Sequence, residues 1–355
     1  MHSVDLPSAD LEHVFARTRD LWTEMNGGRL FLSGGTGFIG RWLLESFVWA
    51  NEALALKASA VVLTRDIAGF QRKAPRIAAH PAITLHYGDV RSFRFPEGPF
   101  RFVIHAAAET SPGEDADSSL NLLDIMIQGT RQMLDFGRHC GASAFLMTSS
   151  GAVYGKQPAA LTHVPESFAG APDPCSPHSA YAEGKRAAEL LCSLYAANYG
   201  LQCRIARCFA FAGPFMPFNA QFAIGNFIRD AVAGTPVRVR GDGSPLRSYL
   251  YAADLAIWLW TILFRGRTCH PYNVGSESAV SIADLATKII ALTDSGSVVD
   301  IAGQRSEQAR PDRYVPSTRR ARTELGLKQW TSLEDAISRT ASWHRQQMSN
   351  AFAGG

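Results

Sequence analysis

The segment Arg29-Leu30-Phe31-Leu32-Ser33 runs directly into Gly34-Gly35-Thr36-Gly37-Phe38-Ile39-Gly40, and an apolar helical pattern continues to about residue 50. An apolar strand, a glycine turn at GxxGxxG spacing and a helix in immediate succession leave few folds open. Gly34 permits a tight turn, Gly37 lets a ligand come close to the backbone, and Gly40 allows the helix to pack tightly on the strand. The helix N-terminus adds free N–H groups and the positive end of a dipole, so the turn suits a pyrophosphate.

Downstream of this turn the chain repeats the same alternation. Short apolar runs at 60–64, 83–87, 102–106, 144–149 and 202–209 read as strands, with helices near 38–50, 118–139 and 179–199. Runs of this kind between helices predict an α/β fold, a Rossmann-type doubly wound parallel sheet of at least six strands with both faces covered. Residues 28–209 then form the dinucleotide-binding domain. Beyond 210 the texture shifts to Gly-, Pro- and Phe-rich connections with helices near 281–293 and 332–346. This predicts a smaller C-terminal α/β substrate-binding lobe over 210–350, partly interleaved with the first domain. Residues 1–27 form an N-terminal helical extension, with Leu11, Val14, Phe15, Leu21, Trp22 and Met25 at helical spacing.

Composition excludes several classes. The formal charge is +3 and the basic residues are scattered, so no nucleic-acid footprint is visible. No apolar run is long enough to span a bilayer, and Asp5, Asp10, Glu12, Asp20 and Glu24 interrupt the stretch a secretion signal would need, which predicts a cytoplasmic protein. The six cysteines show no CxxC pair and read as reduced core residues, with no metal site expected.

Thr64 stands where a carboxylate would hold the ribose hydroxyls of NAD, and Arg65 follows it. That pairing favours NADP over NAD, because a guanidinium can grip a 2′-phosphate; an exposed Arg65-Asp66 pair without consequence is the alternative. Asp89 follows the third strand and is placed to contact adenine. Tyr181 and Lys185 are spaced i,i+4 at the start of a predicted helix and project from one face. An ammonium beside a phenol, with the positive nicotinamide, favours the phenolate and makes a base usable near neutral pH. Ser150 falls at the carboxyl end of the strand ending at 149, where open α/β sheets bind ligands.

Taken together, the glycine turn, His105-Ala106-Ala107-Ala108, Ser149-Ser150-x-x-Val153-Tyr154-Gly155, Tyr181-x-x-x-Lys185 and Arg207-x-Phe209-x-x-x-Gly213-Pro214 resemble the extended short-chain dehydrogenase/reductases that modify nucleotide sugars. The resemblance covers residues 28 to about 345. Tyr181-Ala182-Glu183-Gly184-Lys185-Arg186 and Asn226-Phe227-Ile228 are similar to UDP-glucuronate decarboxylases in particular. The resemblance implies Tyr181 as acid/base, Lys185 on the nicotinamide ribose and Ser150 on the reacting hydroxyl. It also implies a cofactor shell of Gly34, Thr36, Gly37, Phe38, Ile39, Gly40, Thr64, Arg65, Asp89, Val90, Ala106, Ala107 and Ala108. On the substrate side it implies Asn226 at the nucleotide, and Arg247 and Arg310 at the diphosphate.

Departures from the pattern narrow the chemistry. Dehydratases of this family carry an Asp-Glu pair after the serine or threonine and decarboxylases keep the glutamate, whereas Gly151 and Ala152 stand here. The family's asparagines are replaced by Ala210 and Met126. Glu109 offers a carboxylate to the sugar from the opposite loop, or is a solvated loop residue. The expectation is a 4-epimerase or 4-ketoreductase acting by hydride transfer at C4 of a nucleoside diphosphate sugar. A 4,6-dehydratase with a non-standard acid/base and a non-catalytic NADP-binding sensor are the alternatives. The resemblance further implies a homodimer through a four-helix bundle of the helices near 118–139 and 179–199. Leu122, Ile125, Met126, Met133 and Leu134 on the first, and Leu190, Leu191, Leu194 and Tyr195 on the second, exceed one sheet-facing stripe.

Overall fold

The computed structural model describes residues 5–107, 117–218, 222–304 and 311–353. Seven strands form the main sheet: β1 (Arg29–Ser33), β2 (Ser59–Thr64), β3 (Ile83–Tyr87), β4 (Phe102–His105), β5 (Ala144–Ser150), β6 (Cys203–Cys208) and β7 (Tyr272–Val274). Their spatial order is β7-β6-β5-β4-β1-β2-β3, and every neighbouring pair is parallel. The chain runs outward from β1 to β3 and then crosses to the other side of β1 as β4. The crevice at the carboxyl ends of β1 and β4 is therefore the switch point where such sheets take ligands.

Alternation along the strands sorts their side chains into two cores. Leu30, Leu32, Ala60, Val62, Ile104 and Leu146 face one way. Phe31, Val61, Leu63, Val103, Phe145 and Met147 face the other. On the second face lie α3 (Ser118–His139) and α4 (Ala180–Tyr199), which bring Met133, Phe136, Ala188 and Cys192 to the sheet. The first face carries α2 (Phe38–Ala53) and α6 (Ala252–Arg265), and α1 (Ser8–Thr18) lies over both. The remaining long helices are α5 (Ala223–Val232), α7 (Ile282–Thr293) and α8 (Leu333–Ala353). Among the described residues no helix is long and apolar enough to cross a membrane.

Two elements of the main body escape the sequence reading. Helix α6 is buried from Ala252 to Phe264, because the sheet covers one side of it and α1 the other. A helix apolar all round shows no stripe, so periodicity cannot find it. Strand β7 is three residues long, too short to stand out from a loop.

The N-terminal segment is built into the core. Trp22 is fully buried and lies 4.6 Å from Trp260 and 5.8 Å from Phe264, ring centroid to centroid. Asp10 accepts hydrogen bonds from the Tyr251 hydroxyl at 2.6 Å and from Arg339 at 2.8 Å. Asp254 accepts the backbone N–H groups of Trp330 and Thr331 at 2.9 Å each and lies 3.0 Å from His13 Nε2. The cysteines are all free; Cys140, Cys192, Cys203 and Cys208 are buried, Cys269 is half-buried and Cys175 is exposed.

Candidate active site

The glycines of the turn serve different ends. Gly34 has φ +76°, and a Cβ there would lie 2.4 Å from the Ala106 carbonyl carbon. A Cβ on Gly40 would lie 2.2 Å from the Gly34 oxygen. The fold itself therefore requires both. Gly37 differs: a Cβ there meets nothing nearer than the Gly34 oxygen at 3.5 Å. Space is left open above it, and Thr36 and Gly37 are exposed at its rim while Phe38 and Ile39 are half-buried. The N-terminus of α2 has no side-chain cap. An open cradle and uncapped N–H groups fit the diphosphate of a dinucleotide.

Beneath the turn, the Ser33 hydroxyl lies 2.8 Å from His105 Nδ1, and His105 Nε2 lies 3.1 Å from the Thr130 hydroxyl. Burial first, and the Lys185 ammonium second, push His105 down to about 3. It is a neutral pin joining β1, β4 and α3. Ala106 and Ala107 continue the floor, with their N–H groups donating to the Ser33 carbonyl and hydroxyl. Ala108 and Glu109 lie outside the described residues.

At the end of β2 the Thr64 hydroxyl accepts the Asp66 N–H at 3.1 Å, and Asp66 caps the next helix by accepting the Gly69 N–H at 2.7 Å. Asp66 is thus committed locally, and Arg65 is exposed. Asp89 is gripped by Arg91 through Nε and Nη2 at 2.8 and 2.9 Å. Those hydrogen bonds hold its carboxyl below the usual range, with Arg65 adding in the same direction. Arg91 is a residue that sequence reasoning missed, with only its place two positions past Asp89 as a signal. Val90 turns into the core, where a Cβ on Gly129 would come within 2.9 Å of it.

The reactive groups meet at the carboxyl end of β5. Lys185 is buried and its Nζ donates to the Thr148 carbonyl at 2.7 Å. Burial pushes its ammonium down to about 8. Nζ lies 6.0 Å from the centre of the Tyr181 ring. Burial pushes the Tyr181 phenol up to about 12, while nearby Ser150 pulls the other way. The i,i+4 spacing predicts that the neighbouring ammonium favours the phenolate. In the protein alone, desolvation wins and the phenol stays protonated at neutral pH. Ser150 accepts the Ala152 N–H at 3.1 Å, and burial pushes the nearby Tyr314 phenol up, with Ser150 pulling the other way.

Position 151 has no room for a side chain. A Cβ on Gly151 would lie 2.6 to 2.8 Å from three atoms of the Phe209 ring. Phe209 is held in turn against Tyr314, with ring centroids 4.7 Å apart. Behind this pair, Arg207 donates to Glu189 at 2.6 Å and to the Tyr154 hydroxyl at 2.8 Å, and Tyr154 donates to Asn273 at 2.8 Å. These bonds fix the loop that follows Ser150.

Of the residues expected at the substrate, Arg247 pairs with Asp312 at 2.9 Å and is the register partner of Tyr314. Asn226, on α5, accepts from Arg229 at 3.3 Å. Arg310 lies outside the described residues. Met126 is buried, and a Cβ on Gly184 would come 2.7 Å from its Cβ. The apolar residue in place of the family's asparagine thus seats α3 tightly on α4 beside Lys185. Tyr314 is the residue of the centre that the sequence did not reveal, since Arg313-Tyr314 belongs to no motif.

The NAD dependent epimerase/dehydratase family model matches residues 30–275. The chain is 27% identical over 326 residues to UDP-glucuronic acid decarboxylase 1 of Xenopus tropicalis, covering 92% of this chain and 74% of that protein. DesIV, a dTDP-glucose 4,6-dehydratase of Streptomyces venezuelae solved with NAD bound, superposes with a TM-score of 0.76 at 24% identity, over 90% of this chain and 98% of that one. A UDP-glucose 4-epimerase of Thermotoga maritima, solved with UDP-glucose, superposes with a TM-score of 0.75 at 19% identity, over 90% and 99%. A glycine cradle at the switch point, a Tyr-Lys pair against the end of β5 and a family match across both agree: the chain belongs to the NAD dependent epimerase/dehydratase family.

Proposed function

We propose that this protein transfers a hydride at C4 of the sugar of a nucleoside diphosphate sugar, as a 4-ketoreductase or a 4-epimerase. The observation that carries the reading is the filled space at Gly151. Expelling water or carbon dioxide needs an acid or base beyond the tyrosine, and the Phe209 ring occupies the volume where the first family carboxylate would project. Ala152 offers no ionisable group at the second position. What remains is the constellation for moving one proton and one hydride at a single carbon.

When bound, the nicotinamide accepts or supplies the hydride. Lys185 holds its ribose, and the cradle from Gly34 to Gly40 holds the diphosphate. Tyr181 moves the proton on the sugar 4-oxygen while Ser150 hydrogen-bonds that oxygen. Arg247 binds the substrate diphosphate in exchange for Asp312, Asn226 contacts the nucleotide, and Arg310 is the second diphosphate cation that the family resemblance implies. Exposed Arg65 and the absence of a carboxylate at Thr64 support NADP as the preferred cofactor. Free cysteines support a reducing, cytoplasmic setting.

Of the residues the sequence suggested for the homodimer, Leu190 and Leu194 are exposed and those of α3 are not. Leu122, Ile125, Met126, Met133 and Leu134 of α3 are all buried within the protomer, so they leave no surplus for a partner. Leu120 at 64% exposure, Leu190 at 61%, Leu194 at 46% and Tyr199 at 52% are the apolar surface on α3 and α4 that a partner would cover.

The test is incubation with UDP-, dTDP-, GDP- and CDP-sugars and their 4-keto derivatives, with and without NADPH, read by mass and NMR. Reduction at C4 or exchange of C4 epimers is expected. A product that has lost water or carbon dioxide would overturn the assignment.

A further inference from the structure

The glycine cradle sits at the end of β1, and Lys185, held on the Thr148 carbonyl, lies on its β5 side. The adenosine half of a bound dinucleotide then extends the other way, over the ends of β2 and β3. There the chain leaving β3 doubles back. The Gly88 N–H donates to the Thr64 carbonyl at 3.0 Å, and Phe93 stacks on Phe31 of β1 with ring centroids 5.2 Å apart. Asp89 stands in this crossing with its side chain 26% exposed. Three contacts stitch the crossing to α3: Val90 packs against Gly129, the Phe93 carbonyl accepts from Gln132 at 2.9 Å, and Arg91 Nη1 donates to Asn121 at 2.8 Å.

An ionised carboxylate has about four lone-pair sites and no proton to give. At Asp89, Oδ1 accepts two bonds from Arg91, the backbone N–H at 2.9 Å and Nε at 2.8 Å. Oδ2 accepts Nη2 at 2.9 Å. Among the described residues no other group donates to this carboxylate, so an acceptor site remains on Oδ2, in a direction set by the guanidinium fork. Asn121 holds Nη1 and keeps the fork from swinging over that site. A charged acceptor of fixed direction takes an N–H and repels a carbonyl oxygen put in the same place.

We propose that Arg91 is a positioning residue that makes the adenosine end of the site select a base with an exocyclic amine, by leaving Asp89 one oriented acceptor. Adenine donates from its 6-amino group, whereas a base with oxygen at that position presents lone pairs. This rests on the reading of the turn from Gly34 to Gly40 as a dinucleotide cradle.

The test sets NADP and NAD against their hypoxanthine counterparts, in which a carbonyl oxygen replaces the 6-amino group, by calorimetric titration of the full chain. The wild type should bind the adenine dinucleotides at least about tenfold more tightly, the scale of a hydrogen bond to a charged acceptor. In Arg91→Met, which removes the fork and keeps an unbranched side chain, that preference should shrink to within about twofold while affinity for the hypoxanthine dinucleotides barely changes. Asp89→Ala should also abolish the preference, and adding Arg91→Met to it should change nothing further, because Arg91 acts through Asp89. Asn121→Leu leaves the fork in place but releases Nη1, and should reduce the preference by a smaller factor. A merely structural Arg91 would weaken both kinds of dinucleotide alike, so an undiminished preference in Arg91→Met or in Asn121→Leu would overturn the proposal. A wild type that binds both kinds equally would overturn it too and leave the cradle standing; a wild type that binds neither would sink the cradle reading and this proposal with it.

Discussion

Two alanine substitutions in one turn should have opposite consequences. A Cβ on Gly40 would stand 2.2 Å from the Gly34 oxygen and 2.5 Å from the Gly35 Cα. Both are backbone atoms with no rotamer to escape into, so α2 must move away from β1. Overpacking of this kind costs about 1–3 kcal/mol, and more where the backbone has to shift. At Gly37 the backbone is extended, with φ −87° and ψ −180°, a conformation any residue adopts. The nearest atom to an added Cβ is 3.5 Å away, an ordinary contact. The cost to the fold is then the preference against alanine at an N-cap, about 1 kcal/mol or less. The methyl group would, however, stand in the open cradle where a diphosphate must approach the backbone. Dinucleotide affinity should fall at least tenfold, about 1.4 kcal/mol. Thermal melts of the unliganded variants, with fluorescence titrations of NADP and NAD, separate the two effects. Gly40→Ala should melt well below the wild type, and Gly37→Ala should melt near it while binding poorly. A Gly37→Ala protein that binds both dinucleotides as the wild type does would refute the reading of the turn as a cofactor cradle.

Tyr181→Phe should lower turnover by roughly 10²- to 10⁴-fold with cofactor affinity nearly unchanged, measured by steady-state kinetics beside a binding titration; a variant keeping half the wild-type rate removes Tyr181 from the mechanism. Arg65→Ala should weaken NADP binding while sparing NAD, and equal affinities before and after the change would dismiss the preference. Burial lowers Lys185 to about 8, so it is charged below that pH and neutral above it. Dinucleotide affinity should therefore decline as pH rises past about 8, and Lys185→Met should show a weaker, flat profile; a wild-type profile without that decline would contradict the role given to the ammonium. Leu190→Glu should shift a dimer to monomer in sedimentation at micromolar concentration, and a wild type already monomeric there would exclude the helix-bundle interface.

How much was legible depended on how local the signal was. The turn at Gly34, Gly37 and Gly40, the strands up to β6, and the Tyr181-Lys185 spacing were readable because each is written in a few consecutive residues. Helix α6 was not, since full burial erases the periodicity that betrays an amphipathic helix. The glycine at 151 showed in sequence only as a missing carboxylate. Its cause, the Phe209 ring, is 58 positions downstream and becomes its neighbour only when β5 and β6 pair. Tyr314 lies further still, in a two-residue strand with no motif around it. The direction in which Tyr181 titrates also depended on three dimensions. The ammonium near it is visible as spacing, but the desolvation that raises the phenol is a property of the packed site.

The position of the first helix bears on how this chain comes to fold. Asp10 reaches its partners only across 241 residues, to Tyr251, and 329 residues, to Arg339, and Trp22 waits for Trp260. During synthesis the first helix emerges first and its seat is made last. Until then Leu11, Val14 and Trp22 have only α2 to pack on, and the rest of their apolar surface is open to capture by other chains while β2 to β6 are made. Contacts so distant in sequence also close late, after the entropy of a very long loop has been spent. The segment that looks like an appendage in the sequence is thus the last piece to lock, and native Trp22 burial marks the end of folding.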